Sequence, residues 1–124
     1  MALGALAQLH ISVTDLPRAI AFYRDVLRIP FLFEVEGQPM AFFQSGDVRL
    51  YLGRPERAEF TSRVVAYFRV EDIEAEHERL VGLGVSFGDG GPHVVHRDGV
   101  NELWMTGFQD PDGNHLVLMA ERTT

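Results

Sequence analysis

The stretch LHISVTDLPRAIAFYRDVLRIPF (residues 9–31) decides the fold, because AYFRVEDIEAEHERLVGLGVSF (66–87) repeats its grammar. In the first copy Leu9, Ile11 and Val13 alternate with Gln8, His10 and Ser12. That period of two describes a strand whose two faces have different uses. Asp15 follows in an N-cap position, with Pro17 in the first turn, and Leu16, Ile20, Tyr23, Val26 and Leu27 recur at helical spacing. A helix is predicted over 16–28, stopped before Pro30. In the second copy a strand is predicted over 64–70, Asp72 is the N-cap, and Ile73, His77, Leu80 and Leu83 mark one helical face that ends at Gly84. Val13 falls on Val70, Asp15 on Asp72 and Leu16 on Ile73; the second helix is shorter by one residue, so Phe31 meets Phe87.

Outward from this pair, short strands are predicted near 31–35, 39–44 and 47–52, and again near 85–87, 102–108 and 115–120. The closing segments match as well, FQSGDVRLYL (43–52) with FQDPDGNHLVL (108–118). Agreement at both ends, in register with the elements, implies a tandem duplication. The fold class is therefore α+β: two βαβββ modules forming a curved eight-stranded mixed sheet around a cavity, within one domain. Module one covers about 8–53, a polar linker about 54–62, and module two about 63–120. A lone βαβββ unit covers one sheet face with its helix and leaves the other bare, which suits a small ligand. The glycine-rich segment 88–101 is expected to be a mobile loop, a candidate lid. A ferredoxin-like sandwich is the alternative fold, with fewer strands.

The bulk numbers restrict function. With 124 residues, 46% hydrophobic and 23% charged, the chain has ordinary globular composition. Its net charge of −7 and the lack of a basic cluster argue against nucleic acid and against an anionic membrane surface. There are no cysteines, which removes disulfides, thiolate zinc sites and cysteine nucleophiles. No apolar run approaches the ~20 residues of a membrane span, and MALGALA at the start lacks a basic signal-peptide region. A cytoplasmic location is expected. No phosphate-binding loop, dinucleotide fingerprint or nucleophile elbow is present.

VTDL, AFYRDVL and FQDPDGNHLVL, in this order and spacing, resemble the signatures of the vicinal-oxygen-chelate superfamily, which comprises glyoxalases, bleomycin resistance proteins and dioxygenases. The resemblance spans essentially the whole chain. It implies a cavity-bound small molecule and, in the metal enzymes, one His, Glu or occasionally Gln ligand on each of up to four strand positions. In this chain those positions are Gln8, Tyr51, Val65 and Val117. Valine cannot coordinate, and a divalent ion needs several hard or imidazole donors. The expectation is no metal cofactor. Relatives often pair their modules across chains, so a homodimer is expected.

Other side chains are expected to face the cavity: His10 and Ser12, Arg49 beside Tyr51, Tyr67 and Arg69, and His115 and Met119. On 102–108 the face Glu102, Trp104, Thr106 and Phe108 is taken as lining, rather than Leu103, Met105 and Gly107. Two functions lead, with an interaction module within a larger complex as a third. In the first the chain binds a planar or amphipathic molecule, without metal, through Gln8, His10, Tyr51, Tyr67, Trp104 and His115, with Arg49 or Arg69 pairing an anionic group. In the second, His10, Glu102 and His115 form a displaced two-His-one-carboxylate site for one divalent metal ion, serving a lyase, isomerase or dioxygenase. Catalysis would then fall to His10, Glu102 and His115, with Glu102 raised in pKa by an aromatic pocket. The plainer reading makes each His a hydrogen-bonded pocket residue, Glu102 a solvated strand end and Trp104 a core residue. His93 and His96 are expected in the loop, and His77 at a packing boundary.

Overall fold

A computed structural model describes residues 3–123. The chain divides after Arg63 into two compact units with the same order of elements. The first contains β1 (Gln8–Ser12), α1 (Leu16–Ala21), β2 (Phe31–Glu34), β3 (Met40–Ser45) and β4 (Val48–Gly53). The second contains β5 (Ala66–Arg69), α2 (Ile73–Gly82), β6 (His93–Asp98), β7 (Asn101–Gln109) and β8 (His115–Thr123). Each unit is α+β, with one four-stranded mixed sheet ordered β1-β4-β3-β2 or β5-β8-β7-β6. The opening strand lies parallel to the closing one, and the remaining pairs are antiparallel. The eight strands thus form two sheets of four, one in each module.

The repeat extends to backbone detail. Asp15 caps α1 by accepting from the Arg18 N–H at 3.1 Å, and Asp72 caps α2 by accepting from the Ala75 N–H at 3.0 Å. Their backbones coincide, at φ −125°, ψ 96° and φ −122°, ψ 96°. The outer strand of each sheet carries an irregularity at the same place, between Phe31 and Phe33 and between Val94 and His96.

Three expectations need correction. The helix over 16–28 is α-helical only to Ala21, and Phe22–Val26 form a π-turn in which the Leu27 N–H reaches the Phe22 carbonyl at 2.9 Å. This absorbs the extra residue by which the first helix exceeds the second: an i→i+5 turn holds one residue more than an α-turn. Residues 85–87 are not a strand, and most of the expected loop at 88–101 is β6 with its turn into β7. Asp89 ties down the start of that segment. Its carboxylate accepts from the Thr106 hydroxyl at 2.7 Å and from the backbone N–H groups of Gly107 at 2.8 Å and Gly91 at 3.1 Å.

One face of each sheet lies under its helix. In the first unit Ile11, Val13, Leu50, Leu52, Ala41 and Phe43 are buried there with Ala19, Ile20 and Tyr23. In the second unit Leu116, Leu118, Ala120, Thr106 and Phe108 are buried with Ile73 and Leu80. This burial is the main stabilising contribution, since each fully buried Leu or Ile side chain contributes roughly 1.5–3 kcal/mol.

Candidate functional site

Strand alternation sends the complementary set of side chains to the helix-free face of each sheet. In the first unit the register places His10 beside Tyr51, Tyr51 beside Phe42, and Phe42 beside Phe33. The rings follow that register across all four strands. His10 and Tyr51 have centroids 4.6 Å apart, Tyr51 stacks on Phe42 at 5.2 Å, and Phe42 meets Phe33 at 4.9 Å. The Arg49 guanidinium stands 5.7 Å from the Phe42 ring centre. Tyr51 and Phe42 are buried within this row, while Phe33 is 44% exposed at one end. Gln8 shares the face and is exposed.

The linker folds back onto the same unit. The Ser12 N–H donates to the Ser62 hydroxyl at 2.8 Å, and the Ser62 N–H donates to the Ser12 hydroxyl at 2.9 Å. The Tyr51 hydroxyl donates to the Arg54 carbonyl at 3.2 Å. His10 Nε2 lies 2.9 Å from Ser12 Oγ, and its buried Nδ1 has no hydrogen bond of good geometry. Burial pushes the His10 imidazole below its ordinary pKa, against the raising effects of the Tyr51 backbone carbonyl and the Glu56 carboxylate. Burial also pushes the Tyr51 phenol up, and Glu56 adds to this. His10 is therefore a neutral base near pH 7.

In the second unit the helix-free face carries Tyr67, Arg69, His115, Val117, Met119, Leu103 and Met105 by register. Tyr67 is 54% exposed and pairs with Val117, and Val65 before it is 43% exposed. His115 is exposed at the start of β8. Arg69 pairs with Glu121 at 3.6 Å.

The expected lining of strand 102–108 is corrected here. Glu102, Trp104, Thr106 and Phe108 pair with Arg122, Ala120, Leu118 and Leu116, so all four lie on the helix side. Leu103, Met105 and Gly107 belong to the other face. Thr106 and Phe108 are core residues. Trp104 has the Arg122 guanidinium 4.5 Å from its ring centre and donates from Nε1 to Glu102 at 3.2 Å, so its face is covered by the protein's own cation. Glu102 is bound by Arg97 at 2.7 Å, and that bond, with the one from Trp104, holds its carboxyl below the usual range. Raised basicity at Glu102 is thus contradicted. Glu102 and His115 occupy opposite faces of one sheet, so the displaced His10, Glu102 and His115 triad loses its carboxylate. Among the described residues no group of three or more His, Asp or Glu side chains is placed to hold a metal ion.

His93 and His96 lie on β6, and His93 Nδ1 is 2.9 Å from the Gly91 carbonyl. His77 packs against Phe87 at 4.5 Å. A cleft of about 410 Å³ at the end of the second sheet is lined by Asp98, Glu102, Glu121 and Arg122 among others, and another of about 400 Å³ lies by Asp15, Pro39 and Arg54. Neither includes the aromatic row. Sequence reading missed Phe33, Ser62 and Asp89. Phe33 was hidden because the β2 irregularity breaks alternation, and Ser62 because it lies in a linker.

Residues 5–118 match the family model of the Glyoxalase/Bleomycin resistance protein/Dioxygenase superfamily. The chain belongs to this superfamily. The fold of this superfamily member is shared by a member from Sphaerobacter thermophilus DSM 20745, with TM-score 0.79 and 22% identity over 97% of this chain and 99% of that one. It is also similar to lactoylglutathione lyase from Agrobacterium tumefaciens, with TM-score 0.75 and 23% identity over 97% and 96%. TnmS3, an antibiotic binding protein from Streptomyces sp. CB03234, aligns with TM-score 0.75 and 21% identity over 98% and 99%. The superfamily's metal positions, carried over from the sequence resemblance, fall on Gln8, Tyr51, Val65 and Val117. Two offer no donor atom, and Tyr51 is engaged in stacking and in its bond to Arg54. This donor set does not fit a divalent ion.

Proposed function

We propose that this superfamily member binds a small planar molecule carrying an anionic group, without a metal at the superfamily's four positions. The row of His10, Tyr51, Phe42 and Phe33 beside Arg49 carries this reading. Phe33, 44% exposed at the end of the row, offers an apolar ring face to a flat ligand, and the buried Tyr51 and Phe42 back it. Arg49 is the fixed positive charge at the edge of the row. Gln8, exposed on the same face of the first unit, adds a polar contact. Similar folds include both an antibiotic binding protein and a lyase; the two valines at metal positions favour binding.

Calorimetric titration with 2-naphthoate tests this. Saturable binding is expected, unchanged after dialysis against a chelator. Arg49→Ala should weaken naphthoate by about tenfold, or 1.4 kcal/mol, and leave neutral 2-naphthol nearly unaffected. Absence of saturable heat, or a requirement for metal, overturns the reading.

We also propose that two copies pair. The support is the 54% exposure of Tyr67 on the helix-free face of its own unit's sheet, with Val65, just before that strand, 43% exposed. Light scattering at micromolar concentration should give a dimer mass; a monomer refutes it.

A further inference from the structure

We propose that Ser12 is a nucleophile served by His10 as general base, giving the aromatic face of the first unit an acyl-transfer activity toward small aryl esters. The proposal rests on the binding reading above, because the same face would hold the ester. Three observations meet at Ser12. Its Oγ lies 2.9 Å from His10 Nε2, within reach for proton transfer. The Ser62 N–H donates to that oxygen at 2.9 Å, so a backbone donor stands beside the atom that would attack. The Tyr51 ring packs 4.6 Å from His10 and holds the imidazole at the edge of the aromatic row.

The imidazole is in the state this chemistry needs. Burial keeps it neutral near pH 7, so with the proton on Nδ1 it can accept at Nε2. The Tyr51 backbone carbonyl beside the ring favours the charged form that proton transfer creates. Glu56 acts in the same direction from the linker.

In the reaction Ser12 Oγ attacks the ester carbonyl carbon, forming a C–O bond while its proton passes to His10 Nε2. The Ser62 N–H moves its hydrogen bond from Oγ to the neighbouring oxyanion. Collapse breaks the bond to the aryloxy group, which leaves with the His10 proton as a phenol. Water, deprotonated by His10, then attacks the acyl-Ser12 ester, and Ser12 recovers its proton as the acid departs. The overall change is ester plus water to acid plus phenol, with no other reactant.

The chain is unusually clean for a test, because it contains neither lysine nor cysteine. Incubation with 4-nitrophenyl acetate should release 4-nitrophenolate and leave an acetyl group on Ser12, located by peptide mass mapping. Ser12→Ala should abolish the adduct, and His10→Gln should slow it by at least about 100-fold. Ser12→Cys gives an independent readout. The introduced thiol should react with iodoacetamide with an apparent pKa below an ordinary thiol's, and His10→Gln in that background should restore the ordinary profile. Nitrophenolate release no faster in the wild type than in Ser12→Ala, or a thiol profile indifferent to His10, overturns the proposal. Naphthoate titration of the wild type separates the two ideas. Binding without acylation sinks the nucleophile alone, and acylation without naphthoate binding sinks the binding reading alone.

Discussion

Gly53 closes β4 where there is no room for a side chain. A Cβ there would stand 2.2 Å from the Pro39 carbonyl oxygen and 2.8 Å from the Tyr51 ring. Gly53→Ala must move either the backbone of the β3 entry or the tyrosine, and should cost about 1–3 kcal/mol, measured as a lowered urea midpoint. It should also weaken naphthoate binding, because Tyr51 is the second ring of the row. His10 makes a pH-dependent contribution. Its folded pKa lies below the unfolded value, so the unfolded chain takes up its proton first as pH falls. The contribution is whole above the unfolded pKa of about 6.5 and is lost as pH falls through the folded value. Stability measured between pH 7.5 and 5, roughly the window set by that pKa, should decline in the wild type and decline less in His10→Gln. An equal slope in both would exclude His10 as the source. Much of this site was legible from alternation alone: His10, Arg49 and Tyr51 fall on one face because strands place every second residue together. Glu102 and Trp104 were misplaced because β7 has apolar residues on both faces, and only its pairing with Leu116, Leu118 and Ala120 identifies the helix side.

Among the elements, the two helix caps are equivalent, and so are their expected costs. Asp15→Ala and Asp72→Ala should each destabilise by about 1 kcal/mol, with a range of roughly 0.5–2. The segment before β6 depends on one carboxylate. Burial works to raise the Asp89 pKa, but bonds from Thr106, Gly107 and Gly91, with His93 nearby, outweigh it and hold the group low. Its contribution is present above the usual carboxylate range and disappears as pH falls through the lowered folded value. Asp89→Ala should speed amide exchange over residues 88–94 while α2 stays protected; unchanged exchange would show that the strand needs no such anchor. The sequence made this region look mobile, because glycines set the local expectation. The partner that restrains it, Thr106, lies far along the chain. The π-turn was hidden for a related reason: the apolar spacing of 16–28 fits a helix, and only alignment with the shorter second helix exposes the surplus residue.

For the whole molecule, duplication was readable because both copies retain the same caps, strands and closing turn, and these features are local. Burial dominates stability at this scale, and each unit has its own core. Leu52→Ala in the first unit and Leu116→Ala in the second remove side chains that are 0% and 1% exposed. Each should lose about 2–5 kcal/mol by denaturant titration. How the halves pair within or between chains was not legible, because the helix-free faces mix aromatic, aliphatic and charged residues in patterns that suit a ligand or a protein surface equally.

The parallel pairing of β1 with β4 and of β5 with β8 means that every ladder starts and finishes inside one half. A protease nick near Arg63 would therefore cut no sheet. Both sets of strand pairings would survive the cut.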